Sequence, residues 1–277
     1  MQEEIKEVVE GRELILESFK DLIFIEEGHK YFLNGKPLPS VSAVTHKFCA
    51  YPFDEQEQAE NYAKRHGQTP QFWIDKWRFN SLKATTTGTL VHSYGESLGW
   101  LRNGHPERIT EENKCKYIKD KNWLIPTHPK EEAIMKFYSE LPSCLHFVLA
   151  ETKVYTGKNR LLTNLKEDYC GTFDILFYYK SPISDDKSGF VIFDFKTNQS
   201  LYKQFSHDHN RMLLTPFDNL YEESFSYYIL QLSAYQIPLE DIGLRVIARR
   251  IVWLKEDGNY ELIQVPNVTA KLREILS

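Results

Sequence analysis

Apolar residues near the start of the chain recur at the spacing of an amphipathic helix. Between Gln2 and Phe19 they fall on one helical face with charged residues between them. This face consists of Ile5, Val8, Val9, Leu16 and Phe19. The pattern favours a helix that packs on the core over an arm that binds a partner. Residues 22–40 then predict two short strands turned at Glu27-Gly28, and Ser40 and Ser42 are placed to cap the segment that follows.

Residues 54–96 carry a helical pattern that is interrupted at Gly67, where a helix would end. Aromatic side chains lie here among Lys76 and Arg78; they are Phe72, Trp73, Trp77 and Phe79. We expect buried rings beside solvated cations, and the alternative is a surface on which single-stranded bases stack. A later basic run is expected to be solvated surface; it consists of Lys114, Lys116, Lys119 and Lys121.

The second half of the chain has the composition of β-strands. Residues 147–155, 170–179 and 190–197 are β-branched and aromatic runs separated by loops. The next segment predicts a helix ended by Pro238, and two more strands flank an Asp257-Gly258 turn. The pattern predicts an α/β protein with a mixed central β-sheet, flanking helices and a helical N-terminal portion.

We divide the chain into an N-terminal amphipathic helix, residues 1–21, and a single domain, residues 22–277. Within this domain we expect a helical part at 54–140 and a sheet core at 147–265. No internal repeat or low-complexity linker divides it further.

Composition narrows the class of protein. Hydrophobic residues make up 42% and charged residues 26% of the 277 positions, as in a folded globular chain. The 34 basic and 39 acidic residues give a net charge of −5, which excludes a uniformly basic nucleic-acid binder. No run approaches the roughly 18 apolar residues of a membrane helix. The first residues lack a signal-peptide pattern, and the four cysteines form no C-x-x-C pair. We therefore expect a reduced, cytoplasmic protein without a membrane partner.

Two of the predicted strands bring charged residues together. If Tyr179 faces Phe190 across a hairpin, Asp174 lies opposite Phe195, one step from Asp194. Alternation along the second strand puts Asp194 and Lys196 on one face, and Phe193 and Phe195 on the face that meets the core.

Two acids and a lysine without apolar cover are poor core material, but they suit Mg²⁺, which takes carboxylate, water and phosphate oxygens. Such an ion would activate water and polarise a phosphate. Lys196 would then orient or deprotonate that water, or offset charge on the phosphate.

Two predicted helices offer further polar pairs. His92 and Glu96 are four residues apart, hence on one helix face, where an imidazole and a carboxylate would complete a coordination shell. Gln231 and Tyr235 repeat this spacing on the later helix and would present an amide and a phenol to a substrate strand.

The ordered motifs G-T-x-x-H-x-x-x-E, G-x-x-D, D-x-K-T and Q-x-x-x-Y resemble those of the PD-(D/E)XK nucleases. They lie at Gly88–Glu96, Gly171–Asp174, Asp194–Thr197 and Gln231–Tyr235. The resemblance is greatest to the branch containing the RecB nuclease domain and related phage and mitochondrial single-strand exonucleases. It implies a restriction-endonuclease-like core with a metal site at one edge of the sheet.

The resemblance also implies roles for individual residues. The metal ligands would be His92, Asp174, Asp194 and the Phe195 carbonyl, binding one or two Mg²⁺ or Mn²⁺ ions. Lys196 would be the catalytic lysine, and Gln231 and Tyr235 would hold the DNA strand or position Lys196. Glu96, Glu151 and Thr197 would support the site. No cysteine follows Cys170, so the iron–sulfur cluster of one branch is not expected.

Three functions remain open from the sequence. The first is a metal-dependent DNA exonuclease that prefers single strands or ends, acting in phage or mobile-element recombination, repair or replication, with a possible partner protein. The second is an inactive nucleic-acid-binding or assembly protein on the same scaffold, and the third is a restriction-type endonuclease. DNA versus RNA preference, polarity and oligomeric state are not determined by the sequence.

A long connection separates Lys196 from the helix that carries Gln231. A loop of this length is unusual in a compact domain unless it is functional, so we expect it to wall or roof the site. Its aromatic residues Tyr202, Phe205 and Phe217 would then stack on bases of a threaded strand. The alternative is a surface loop beside an open cleft.

Overall fold

The computed structural model of the chain describes residues 5–25, 27–119, 123–157 and 167–277. The helices in these ranges are α1 (Lys6–Phe19), α2 (Val41–Thr45), α3 (Glu55–His66), α4 (Pro70–Arg102), α5 (Glu111–Tyr117), α6 (Pro129–Ser139), α7 (Gln204–Asp208), α8 (Ser224–Asp241) and α9 (Thr269–Leu276). The strands are β1 (Leu22–Ile25), β2 (Lys30–Leu33), β3 (Lys36–Leu38), β4 (Ile118–Lys119), β5 (Trp123–Leu124), β6 (Leu145–Tyr155), β7 (Cys170–Tyr179), β8 (Gly189–Lys196), β9 (Val246–Leu254) and β10 (Tyr260–Gln264).

The N-terminal helix packs on the core, as predicted, but on a slightly different face. Val8, Ile15 and Phe19 are buried, whereas Leu16 is exposed, so its assignment to the buried face is wrong. Arg12 is buried in its place, because its guanidinium donates from Nε to the Val148 carbonyl of β6 at 2.6 Å. The predicted start of this helix at Gln2 lies outside the described residues.

The predicted strand pair is confirmed, and it is extended by a third strand. The strands β1, β2 and β3 form an antiparallel sheet of their own. Ser40 then caps α2, because its Oγ accepts the Ala43 N–H at 3.2 Å.

The helical hairpin α3–α4 ends and begins where the sequence predicts. Gly67 ends α3 in the left-handed conformation, with φ of 72°, and the Thr69 side chain caps α4. The expectation of buried aromatic residues is wrong here. Trp73 and Trp77 are half-buried, and Phe72 and Phe79 are 44% and 67% exposed, because α3 covers only one side of α4.

The later lysine run is only partly described. Lys114 pairs with Glu111 at 2.7 Å on the surface of α5. Lys121 and the side chains of Lys116 and Lys119 lie outside the described residues.

The central sheet is mixed, and the predicted α/β fold is confirmed. It has five strands in the order β10-β9-β8-β7-β6, with β8 and β9 parallel and the other neighbours antiparallel. Phe193 and Phe195 are buried and pack against Phe137 of α6, with ring centroids 5.7 and 5.8 Å apart. The next residues along β8 alternate to the other face, towards α8.

The β7–β8 register differs from the prediction by one residue. The Ser188 hydroxyl accepts the Ser181 N–H at 2.9 Å and closes the loop early, so β8 begins at Gly189 and this residue pairs with Tyr179. Continuing this register sets Asp174 level with Asp194 rather than with Phe195, and the two carboxylates therefore lie on the same face of the sheet.

The predicted end of α8 at Pro238 is wrong, since the helix continues to Asp241. A proline inside a helix removes the N–H that would bond the carbonyl four residues earlier, here that of Ala234. The Tyr169 hydroxyl donates to this carbonyl at 2.8 Å and replaces the missing bond. The helix therefore passes through its proline with a buried tyrosine as substitute donor.

The C-terminal elements follow the prediction. The hairpin β9–β10 turns at Asp257-Gly258, with Gly258 at a φ of 79°, and α9 packs on α8. Within the described ranges, no helix combines the length and the apolar character that crossing a membrane requires.

Candidate metal-binding active site

One cavity of about 750 Å³ opens where the carboxyl end of β8 meets α4 and α8. Eight of the side chains that the sequence nominated line it: His92, Glu96, Glu151, Asp174, Asp194, Lys196, Gln231 and Tyr235. Thr197 lies just outside. Its hydroxyl is 3.6 Å from the position that a Cβ on Gly88 would take, and its carbonyl accepts a hydrogen bond from Lys130 at 2.8 Å.

Three acids stand side by side on adjacent strands of the sheet. In the β6–β7 ladder, Ala150 pairs with Ile175 and Thr152 with Phe173, so Glu151 lies level with Asp174. Asp194 extends the row onto β8. Glu151 has a φ of 45°, a left-handed conformation that costs a non-glycine residue about 1–3 kcal/mol and that is found mainly at functional sites.

A group able to hold a metal ion is formed by His92, Glu151 and Asp174, whose ligand atoms all lie within 4.8 Å of one another. The His92 Nδ1 atom is 3.2 Å from Asp174 Oδ2 and 3.9 Å from Glu151 Oε1. Glu151 therefore belongs to the ligand group itself, although the sequence assigned it only a supporting role.

Asp194 was expected among the ligands but is not part of that group of three. Its carboxylate forms an ion pair with Lys196 Nζ at 2.5 Å. Glu96 also lines the cavity without joining the group. The Phe195 N–H donates to Asp174 Oδ2 at 2.7 Å. Because the N–H and C=O of one strand residue point to the same edge, the Phe195 carbonyl is directed to the same side as Asp174.

Burial and neighbouring charges raise the pKa values of several groups in and around the row. Burial, reinforced by the charge of Asp174, raises the pKa of Glu151 to about 8 and that of Asp194 to about 6. Burial opposes a charged His92, but Asp174 and Glu151 outweigh it and raise the His92 pKa to about 9. Burial also raises the pKa of Glu96 to about 7. Protonation of His92 and Glu151 therefore reduces the electrostatic repulsion between the neighbouring carboxylates.

Lys196 is held by a chain of side chains from α8. The Gln231 Oε1 atom accepts from Lys196 Nζ at 3.4 Å, and Gln231 Nε2 donates to the Tyr235 hydroxyl at 3.1 Å. Tyr228 places its ring under the ammonium, 4.3 Å from Nζ. Burial opposes the charge on Lys196, but Asp194 and Asp174 outweigh it, so its pKa is raised and it remains an ammonium ion.

The glycine of the G-x-x-D motif has a packing explanation. A Cβ on Gly171 would lie 2.6 Å from the Tyr235 ring and 3.2 Å from the Val41 side chain. Tyr235 can therefore approach β7 only where that strand has no side chain. This contact ties the helix that supports Lys196 to the strand that carries Asp174.

Sequence reasoning missed a second wall of the cavity, formed by the β1–β2 hairpin. Phe24, His29 and Tyr31 line the cavity from this side, with ring centroids 4.8–5.8 Å apart. The Tyr31 hydroxyl is anchored 3.1 Å from the Thr172 hydroxyl of β7. Three aromatic rings around the predicted Glu27-Gly28 turn were the available signal. Tyr228 was also missed, although it precedes Gln231 by one helical turn.

The long connection after Lys196 does not contribute to the wall of this cavity; none of residues 198–223, all of which are described, lies in its lining. Phe217 was expected to stack on bases, but it is buried against Phe48, with ring centroids 4.8 Å apart, so that assignment is wrong. Tyr202 and Phe205 are 47% and 49% exposed.

No family model matches the sequence, and no curated protein matches it significantly. The chain is a mixed α/β protein with a row of three acids, a histidine able to join two of them around a metal ion, and a half-buried ammonium beside the third.

Proposed function

We propose that this protein is a metal-dependent nuclease of the PD-(D/E)XK type, with a restriction-endonuclease-like core, that hydrolyses phosphodiester bonds in DNA. The observation that carries the proposal is the pairing of two features in one cavity. His92, Glu151 and Asp174 can hold a cation, and Lys196 is fixed beside Asp194 at the end of the neighbouring strand. This combination of charged side chains would destabilise a purely structural core.

The donor set fits Mg²⁺ or Mn²⁺. Carboxylate oxygens suit both ions, and one imidazole is readily accepted by Mn²⁺. His92, Glu151 and Asp174 would hold the cation, and the Phe195 carbonyl and Asp194 would be further oxygen donors beside them. When bound, the cation supplies polarisation of the phosphate and lowers the pKa of a water molecule.

Lys196 acts through its charge in this scheme. Its raised pKa keeps it protonated at neutral pH, so it cannot remove a proton from water. It stabilises instead the negative charge that develops on the phosphate oxygens. Gln231 fixes the direction of the ammonium, and Tyr235 fixes Gln231. Of the two roles open to Gln231 and Tyr235, positioning of Lys196 is the one that these contacts support.

We further propose an end-dependent exonuclease acting on single strands, in phage or mobile-element recombination, repair or replication. This part rests mainly on the resemblance of the ordered motifs. The β1–β2 hairpin supports it, because Phe24, His29 and Tyr31 add aromatic rings to the cavity wall on which the bases of a single strand can stack. An inactive binding protein is disfavoured, because withdrawing the Asp194–Lys196 ion pair from water costs free energy that catalysis would justify and binding alone would not.

End-labelled DNA tests the proposal directly. The protein is incubated with linear and covalently circular single strands, with duplex and with RNA, in Mg²⁺, in Mn²⁺ and in EDTA. We expect linear single-stranded DNA to be degraded only with a metal ion and circles to survive. Rapid cutting of circles would identify an endonuclease, and binding without cleavage in either metal would support the inactive alternative.

A further inference from the structure

The N-terminal half of α4 is a helix without a partner. Every residue from Arg78 to Thr86 is exposed, so this stretch has no buried face. A helix of this kind gains little stability from packing within the chain. On the N-terminal side of this stretch α4 is braced by α3, and from Val91 onward it is buried against the core.

One face of this segment alternates aromatic rings and ammonium groups. We call it the α4 stripe; it consists of Phe72, Lys76, Phe79 and Lys83, which follow each other at helical spacings of four, three and four residues. Phe72 is 44% and Phe79 67% exposed, and the Lys76 Nζ atom lies 5.9 Å from the centre of the Phe72 ring. Exposed apolar side chains that cluster on one face are typical of interaction surfaces.

The charge of the segment indicates what covers it. The protein is acidic overall, yet no aspartate or glutamate occurs between Asp75 and Glu96. Its basic residues point to an anionic partner, and three consecutive threonines, residues 85–87, can donate to phosphate oxygens. The two lysines argue against a second copy of the chain as the partner, because lysine is depleted at protein–protein interfaces.

Two of the three acids near the stripe, Glu55 and Glu256, form ion pairs with cations outside it, and within the described part of the chain Asp75 is bonded only to a neutral amide. Glu55 of α3 binds Arg78 at 2.7 Å, and Asp75 accepts from Gln71 at 2.7 Å. Glu256, the acid near Lys83, pairs with Lys130 at 2.6 Å; Lys130 and, more weakly, Lys83 lower its pKa. Lys76 and Lys83 therefore keep positive charge towards solvent.

The stripe is held rigidly on α4. Behind it, Tyr62 of α3 packs against Trp73 and Trp77, with ring centroids 5.2 and 5.3 Å apart. Phe79 precedes His92 by thirteen residues on the same helix, a separation of about 20 Å. A stacked strand spans that distance with about six nucleotides.

We propose that the α4 stripe binds single-stranded nucleic acid, with bases stacked on Phe72 and Phe79 and phosphates held by Lys76 and Lys83. To enter the cavity the strand must also pass about half a turn around α4, because His92 lies on nearly the opposite face of the helix from the stripe. This inference rests on the proposed function for its purpose, but the binding it describes needs no catalysis.

Fluorescence anisotropy of a labelled dT20 strand, in EDTA to prevent cleavage, tests the binding. Phe79→Ala and Phe72→Ala should each weaken binding by about five- to a hundredfold, since stacking contributes that much per base. Lys76→Ala with Lys83→Ala should lower the slope of log affinity against log salt by about 1.4. Leu82→Ala, which removes a 67% exposed side chain from the same helix outside the stripe, is the matched control and should bind as the wild type does.

Further arms separate this proposal from its alternatives. A U20 RNA strand and a DNA duplex show which nucleic acid the stripe prefers, and sedimentation of each variant shows whether it self-associates. If the stripe variants bind dT20 as tightly as the wild type does, the proposal is wrong; if they lose only self-association, the face joins two copies of the chain. If the wild type binds through the stripe but never cleaves, the inference stands and the proposed function fails.

Discussion

The substitution Tyr169→Phe tests how α8 tolerates its proline. Tyr169 is fully buried, and its hydroxyl donates to the Ala234 carbonyl, the acceptor that Pro238 deprives of an N–H donor. Removing the hydroxyl leaves this carbonyl buried without a donor, next to Tyr235 of the candidate site. We expect the variant to fold, because no volume larger than one oxygen atom is lost.

The expected loss of stability arises because the Ala234 carbonyl is left without a hydrogen-bond donor. A buried polar group left without a partner costs about 1–3 kcal/mol. At roughly 2–4 °C per kcal/mol for chains of this size, Tm should fall by about 2–12 °C. Tyr138→Phe is the matched control. Its hydroxyl donates to the Gly95 carbonyl at 3.0 Å, but that carbonyl lies inside α4 and also accepts an intrahelical N–H. This second loss should be clearly smaller.

A double-mutant cycle isolates the effect. Pro238→Ala restores an N–H that can bond the Ala234 carbonyl, so Tyr169→Phe should cost about 1 kcal/mol less in that background, measured by urea denaturation. Equal costs of Tyr169→Phe in both backgrounds would refute the substitute-donor explanation. So would a Tyr138→Phe loss as large as that of Tyr169→Phe.

Three further predictions concern the cavity. Protons on His92 and Glu151, with pKa values of about 9 and 8, compete with the cation; Mn²⁺ binding measured by calorimetry should therefore tighten from pH 6 to pH 9 and release protons, and affinity that falls with pH would contradict this. Asp194→Asn should reduce cleavage at least about a hundredfold while leaving Tm unchanged or higher, because it relieves repulsion between carboxylates; a large drop in Tm would show that Asp194 is mainly structural. Lys196→Ala should reduce cleavage similarly but keep wild-type Mn²⁺ binding, and loss of metal binding would remove Lys196 from its assigned role.

The sequence predicted which residues form the site better than it predicted how they are arranged. Periodicity was sufficient to place Asp194 and Lys196 on one strand face, because alternation depends only on the backbone. It could not fix the β7–β8 register, which depends on the Ser181–Ser188 contact inside the loop. A loop of nine residues leaves the register open by one position, and one position decides which side chain stands opposite Asp174.

Other features depended on tertiary contacts that no local pattern records. Glu151 joins His92 at a residue where β6 adopts a left-handed backbone. Pro238 was expected to end α8, and its neighbour Tyr169, which is distant in sequence, allows the helix to continue. The aromatic residues of α4 were expected to be buried, but burial depends on what packs against a helix, and α3 covers only the side that carries Trp73 and Trp77.

The most direct test of the account is the release of labelled nucleotides from linear single-stranded DNA in Mn²⁺. We compare the wild type, the wild type with excess EDTA, Asp174→Asn, and Asp186→Asn, which removes an exposed acid from the β7–β8 loop. We expect cleavage by the wild type and by Asp186→Asn, and none with EDTA or with Asp174→Asn. Equal cleavage by all four samples, or cleavage that persists in EDTA, would contradict a metal-dependent site at His92, Glu151 and Asp174.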